Sequence, residues 1–269
     1  MSNKKTSGGL GTMFQWLVVV GALAVAWVVY LYILGSPSNF EGSDPTKNPL
    51  PGNYMGIMFK GGPIVPELMC LFIIVFAFSI ERLITLVAAS GKQSIETFMA
   101  KIRQQLSSGE IAAAAAECDK QQGSLANVIK SALKKYTEME QEAGMDKEQK
   151  VLAIQKEVEE ATALELPMLE KNLVFISTIS TVATLVALLG TVLGMIRAFA
   201  ALSAAGSPDS QALATGISEA LVNTALGIST SAIAIIMYNV FTTKIDKLTY
   251  SIDEAGFSIV QTFAANHKK

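Results

Sequence analysis

A few polar residues lie where a membrane protein can least accommodate them. Thr191 falls inside Leu188-Leu-Gly-Thr-Val-Leu-Gly-Met195, and Glu219, Asn223 and Thr224 fall inside Gly216-Ile-Ser-Glu-Ala-Leu-Val-Asn-Thr-Ala-Leu-Gly227. Each stretch sits in an apolar run long enough to cross a bilayer, which takes about 20 residues at about 1.5 Å each. Hydroxyls, an amide and a carboxylate at that depth are costly, and they usually face a bundle interior or a wet path. Such groups can hold or relay protons. Threonine does not titrate, however, so a relay through threonines needs a carboxylate threaded in from another chain.

The polar residues form stripes. Ser177, Thr184 and Thr191 recur at seven-residue spacing, with Ser180 and Thr181 beside them. Glu219, Asn223, Gly227 and Thr230 mark a matching stripe on the next run. Thr181, Thr184, Thr191, Glu219, Asn223 and Thr224 are therefore the residues expected to line a proton pathway. The competing reading is helix glue, because Ser, Thr and Gly let membrane helices approach closely and hydrogen-bond. A single hairpin encloses no pore. A lined path requires several copies around an axis, which cyclic symmetry supplies.

Depth follows from chain arithmetic. Two antiparallel helices joined near Ser207-Pro208 rise equally per residue, so positions equidistant from that turn share a level. Thr191 and Thr224 then form one layer, and Arg197 and Glu219 form another about 7–9 Å nearer the outer face. Arg197 so near a helix end could simply snorkel to the headgroups. Paired with Arg197, Glu219 would instead be a fixed structural charge near the outer mouth.

The elements that position these residues read as an all-α polytopic membrane protein: four transmembrane helices and a long cytoplasmic helical extension. The 269-residue chain is 51% hydrophobic, with a mean hydropathy of +0.40, and the apolarity is blocked rather than scattered. The expected layout is a cytoplasmic tail at 1–12, a first helix at 13–34, a periplasmic loop at 35–63 and a second helix at 64–89. A cytoplasmic helical domain follows at 90–172, then the pore-lining hairpin at 173–243 and an amphipathic cytoplasmic tail at 244–269. The basic start at Lys4 and Lys5 also suits a signal peptide, but the first run is long and its exit carries Pro37, which favours a retained helix. Trp16, Trp27, Tyr30 and Tyr32 read as interfacial aromatics near its ends. Spans one and two lack polar stripes and are expected on the lipid side, with Glu81 and Arg82 marking the second span's arrival at water.

In the polar segment, breaks are expected at Ser108-Gly109, Gly123 and Gly144, with Asp146 as an N-cap. From Asp146 one helix could run unbroken to residue 202, about 85 Å at 1.5 Å per residue, unless Pro167 interrupts it. The 35–63 loop carries only Lys47 and Lys60 and the 203–212 turn no Lys or Arg, so both termini and 90–172 should be cytoplasmic. The net charge of −2 and the lack of a basic motif give no reason to expect nucleic acid. Cys70 and Cys118 have no metal or redox spacing, and His267 stands alone. No cofactor or metal is expected.

Leu189-Gly-Thr-Val-Leu-Gly-Met195, the Gly216 to Gly227 motif and Tyr238-Asn-Val-Phe241 resemble the ExbB/TolQ/MotA proton-channel family, closest to ExbB. Glu81-Arg-Leu83 and Ser108-Gly-Glu-Ile111 resemble it more weakly. The resemblance implies a non-enzymatic inner-membrane stator: a homopentamer around the helices of an ExbD-like single-span partner with an intramembrane Asp. It would pass proton-motive force through a TonB-like protein to outer-membrane transport. It also implies that Thr191 and Thr224 are the threonines around the partner's aspartate, and that Glu219 is the family's pore glutamate. Two departures stand out. Thr184 occupies the position of the motif's proline, and the helix at the front gives a four-span layout like that of MotA. The rival readings are a TolQ-like envelope motor, a flagellar or gliding stator, and a non-conducting membrane scaffold. A secondary transporter is disfavoured, because no half of the chain repeats.

Overall fold

The structure, a computed structural model, describes residues 7–203 and 210–266. The Lys4 and Lys5 flank, the turn at Ser207-Pro208 and His267 lie outside the described residues. Helices dominate: α1 (Ser7–Val28), α2 (Tyr54–Phe59), α3 (Ile64–Ser90), α4 (Ile95–Ser107), α5 (Ile111–Gln121), α6 (Gly123–Gln141), α7 (Lys147–Glu170), α8 (Leu173–Ser203) and α9 (Ser210–Asn266). Four stretches are long and apolar enough to cross a membrane: Gln15–Leu34, Ile64–Ser107, Lys147–Ser203 and Ser210–Asn266. The chain is an all-α polytopic membrane protein. It divides into two compact units, one holding Phe175–Tyr238 with the chain up to Ile80, the other Glu81–Val174 with Asn239–Lys269.

In the first unit, α1 continues into a π-helical turn, Val29–Leu34. Asn39 closes it by donating from Nδ2 to Ile33 O (2.8 Å) and Leu34 O (2.9 Å), two of the carbonyls that a helix end leaves unpaired. Tyr30 is not an interfacial aromatic. It is buried with Leu34 and Val65, and Phe59, Val222 and Leu226 pack against that cluster. The first span therefore presents one face to α9 and is not wholly lipid-facing. Its other faces, with Trp16, Val20, Val28 and Tyr32, are exposed as expected for lipid contact.

In the second unit, α4 to α7 and the C-terminal part of α9 share a core that includes Phe98, Ile102, Leu125, Ile129, Ala132 and Phe263. The Tyr136 and Phe263 rings meet edge to face at 4.9 Å. Ser94 caps α4, accepting from Thr97 N at 3.2 Å. Asp146 and Gln149 form a reciprocal capping box that starts α7. Gly123 (φ +83°) turns the chain between α5 and α6 and is itself the first residue of α6.

One open alternative is decided here and one expectation fails. The helix from Asp146 is not continuous to residue 202, because Asn172 adopts φ +65° and separates α7 from α8. Asn tolerates the left-handed region better than most residues, and its Nδ2 donates to Glu81 Oε2 at 3.0 Å. Pro167 stays inside α7. Nor do Glu81 and Arg82 simply meet water. Arg82 is 1% exposed, and it donates to Met168 O (3.0 Å) and Leu169 O (3.1 Å), capping the C-terminal end of α7. A guanidinium suits that negative helix end, and Glu81 neutralises it at 2.5 Å. The very long helix is instead α9, whose 57 residues rise about 85 Å at 1.5 Å each. The last described residues thus continue the fourth span as one helix.

Two predictions follow from this unit. Arg82→Ala should strand Glu81 and two carbonyls, costing roughly 2–4 kcal/mol and several degrees of Tm in detergent. Arg82→Lys should recover less than half, because an ammonium lacks the fork. An unchanged Tm for Arg82→Ala would contradict this. The second concerns Glu117, whose carboxylate is held down to about 2 by hydrogen bonds from Lys101 Nζ (2.7 Å) and Gln93 Nε2 (3.1 Å). A depressed folded value stabilises above the unfolded value of 4.5 and is lost as pH falls through about 2. Glu117→Gln should therefore lower Tm at pH 7, with the gap to the parent closing between about pH 4.5 and pH 2. A gap independent of pH would assign the stability to some other group.

Candidate functional site

The site is the seam between α8 and α9 in the first unit, and small residues build it. A Cβ added at Gly194 would lie 2.8 Å from Gly216 O and 2.9 Å from Ala220 N. One added at Gly190 would lie 2.8 Å from the Asn223 side chain. Ala183, Ala187 and Ala198 on α8 and Ala220 and Ala234 on α9 are buried with them. Close approach of this kind is how membrane helices pack without bulky interdigitation. It also brings side-chain hydroxyls within reach across the seam.

Thr191 Oγ1 and Thr224 Oγ1 lie 2.6 Å apart, and either can be the donor. Thr191 Oγ1 can also donate to Ala187 O (2.9 Å), and Thr224 Oγ1 to Ala220 O (2.9 Å). Thr191 Oγ1 also lies 3.4 Å from Ala220 O. Each hydroxyl has one proton and two lone pairs, so the bond between the two threonines can take either polarity. In one, Thr191 donates to Thr224 and Thr224 donates to Ala220. In the other, Thr224 donates to Thr191 and Thr191 donates to Ala187. The two differ in polarity alone, so the layer can reverse its hydrogen bonds without moving backbone. Both threonines are half-buried in the single chain.

Arg197 NH1 is paired with Glu219 Oε1. The carboxylate is 5% exposed, whereas half of the Arg197 side chain is open. Asn223 is buried outright and donates from Nδ2 to Gly61 O at 3.0 Å. Glu219 and Asn223 thus lie inside the subunit against the 60–63 turn. Thr181 and Thr184 lie on an exposed face of α8, with Leu185 and Leu188 beside them. Ser231 donates to Ser180 O, tying the seam at the end away from the Arg197–Glu219 pair. The structure therefore brings Thr191 to Thr224 and Arg197 to Glu219, and leaves Thr181 and Thr184 apart from both pairs.

Sequence reasoning missed Gly61, Gly62 and Tyr30. The Gly61-Gly-Pro63 run signals a turn, but nothing in it points at a partner 157 or more residues on. Among the described residues no group of three His, Cys, Asp or Glu could hold a metal. Cys118 is a buried thiol that desolvation pushes up to about 12, an inert small apolar residue.

Residues 120–254, just over half of the chain, match the MotA/TolQ/ExbB proton channel family. The Tol-Pal system protein TolQ of Pseudomonas aeruginosa is 28% identical over 121 residues, which is 45% of this chain and 52% of that protein. An ExbB-like biopolymer transport protein of Synechocystis is 40% identical over 86 residues, covering 31% and 41% of the two chains. The biopolymer transport protein ExbB of Pseudomonas putida is 32% identical over 85 residues, covering 32% and 26%. The chain spans about half or less of the length of these relatives. The shared stretch contains the whole seam from Thr191 to Thr224, and with it the chain belongs to the MotA/TolQ/ExbB proton channel family.

Proposed function

We propose that this chain is the channel-forming stator subunit of a proton-driven machine in the inner membrane, working as a homopentamer around a single-span partner. The partner, of the ExbD type, supplies an intramembrane aspartate that carries the proton past the hydroxyl layer. The observation that carries this reading is the Thr191–Thr224 pair, two hydroxyls 2.6 Å apart inside apolar spans. Hydroxyls solvate a carboxylic acid as donor or acceptor alike, so the layer suits a group that is alternately protonated and ionised. The output would be TonB-dependent transport at the outer membrane. A TolQ-type role in envelope integrity is the second reading, favoured by the 121-residue match to the Pseudomonas aeruginosa protein. Nothing in the site points to covalent chemistry, and the proposed role is that of a conductor, not an enzyme.

The experiment is proton uptake into liposomes, read with an internal pH dye, for the chain reconstituted with and without its partner. Thr191→Val keeps the side-chain shape and removes the hydroxyl. Partner-dependent uptake should fall at least tenfold, while the oligomer elutes unchanged and stability drops by no more than one hydrogen bond's worth, about 1 kcal/mol. Helix glue predicts the reverse: a damaged oligomer with normal uptake per intact complex.

The charge layer gives a second test. Arg197→Ala leaves the buried Glu219 carboxylate without its cation, whereas Arg197→Gln with Glu219→Gln removes both charges. Breaking one side of a buried pair costs several kcal/mol, and replacing both can be mild; the open Arg197 side chain reduces that to roughly 1–3 kcal/mol here. The single variant should therefore assemble or couple worse than the double. A double variant no better than the single would remove the pair from the account.

Topology is tested by labelling. With Cys70 and Cys118 replaced, Lys47→Cys should react with an impermeant thiol reagent in intact cells, and Gln261→Cys should react only after lysis. Both parent residues are exposed in the structure, so burial does not confuse the result. Protection of position 47 together with reaction at 261 would invert the proposed orientation.

A further inference from the structure

The loop before α3 carries a feature that the seam alone does not explain. Gly62 has φ +80°, and a Cβ built there would run into the Glu219 carboxyl group, 2.9 Å from Cδ, and lie 3.5 Å from Arg197 NH1. At the preceding Gly61, a Cβ would lie 2.5 Å from Val65 and 2.7 Å from Val222. Only bare backbone fits between the loop and α9. The Gly61 carbonyl accepts from Asn223 one turn along α9 from Glu219, so two polar residues of the α9 stripe meet two consecutive glycines. Arg197 approaches the carboxylate from a half-open side, and the turn covers its loop-facing side.

The turn is itself held. Phe59 O accepts from Gly62 N (3.2 Å) and from Tyr30 Oη (3.0 Å). The Tyr30 and Phe59 rings stack at 4.8 Å. Asn53 caps α2 by accepting from Gly56 N (3.0 Å), and its Nδ2 donates to Asn39 Oδ1 (3.1 Å). Asn39 in turn closes the π-helical end of the first span. A chain of direct contacts therefore runs from the first span through Tyr30 and Phe59 to Gly62 and Glu219.

We propose that Gly61, Gly62 and Tyr30 are positioning residues: the first span braces the glycine turn over Glu219, which holds the carboxylate on Arg197 and shields it from the periplasmic loop side. This rests on the proposed reading of the seam as a proton-conducting layer, in which a Glu219 free to leave Arg197 would compete with the partner's aspartate. The first span then has a specific task. It keeps the Glu219 carboxylate seated on Arg197 under the glycine turn.

The test reads the reactivity of Glu219 in the full chain at one fixed pH, using a water-soluble carbodiimide and mass spectrometry of the labelled peptide. Gly62→Ala should raise the labelling rate at Glu219 at least tenfold. Gly52→Ala is the control for backbone strain, since Gly52 has φ +77° and an added Cβ there meets nothing within 4 Å; it should leave the rate unchanged. Glu219→Asp withdraws the carboxylate by one methylene, so adding Gly62→Ala to it should change labelling at position 219 less than twofold. Tyr30→Phe, which removes one hydroxyl and keeps the packing, should raise Glu219 labelling by a smaller factor and decides the matter if Gly62→Ala does not assemble. Rates for Gly62→Ala and Tyr30→Phe equal to that of Gly52→Ala would overturn the proposal. The readout needs neither the partner nor conduction. A chain that conducts nothing yet shields Glu219 in this pattern would overturn the stator reading alone, and a conducting chain without the pattern would overturn only the brace.

Discussion

The site depends on the backbone approach of α8 and α9. Gly190, Gly194 and Gly216 leave no room for a Cβ between the two helices, and this close approach lets threonine hydroxyls, among the shortest polar side chains, touch across the seam. Larger residues at those positions would push the helices apart, and Thr191 and Thr224 would each fall back on their own helix carbonyls. Both hydroxyls already have that alternative. The pair is therefore poised between local and cross-helix bonding, a property that suits the proposed role of solvating a group that changes its charge. Lipid offers no hydrophobic push between helices, so dispersion contacts and hydrogen bonds of this kind must hold the hairpin.

The second unit shows the same economy with charge. Arg82 is buried, yet every direction in which it donates meets an acceptor: Glu81, two carbonyls at the end of α7, and Thr85. Asn172 completes the cluster by donating to Glu81 while breaking the helix with its positive φ. A buried charge without such partners would cost several kcal/mol. The break between α7 and α8 and the buried ion pair therefore belong to one arrangement.

The sequence carried much of this plainly, and physics says why. Spans must be long and apolar because the bilayer core is thick, so four runs could be read directly. The register of the hairpin was legible because both helices rise equally per residue; the level shared by Thr191 and Thr224 needs no tertiary information. Asn172 was not legible, since its left-handed φ is supported by Glu81, 91 residues away. The continuity of α9 past Thr243 was not legible, because the polar residues there mark the return to water without saying whether the helix stops; Gly256 packs against Val158 inside it. The loop glycines were legible as a turn but not as a cover for Glu219. Contacts of that kind depend on where the loop lands, which no periodicity encodes.

The central claim is that Thr191 and Thr224 act as one conducting layer and not as two separate pieces of glue. A double-mutant cycle on partner-dependent proton uptake tests it most directly, because residues that act as a unit lose function non-additively. The account predicts that Thr191→Val with Thr224→Val together lowers uptake no further than either single change, with the oligomer intact in all three. Losses that multiply, or a doubly substituted protein that still takes up protons at the parent rate, would contradict it.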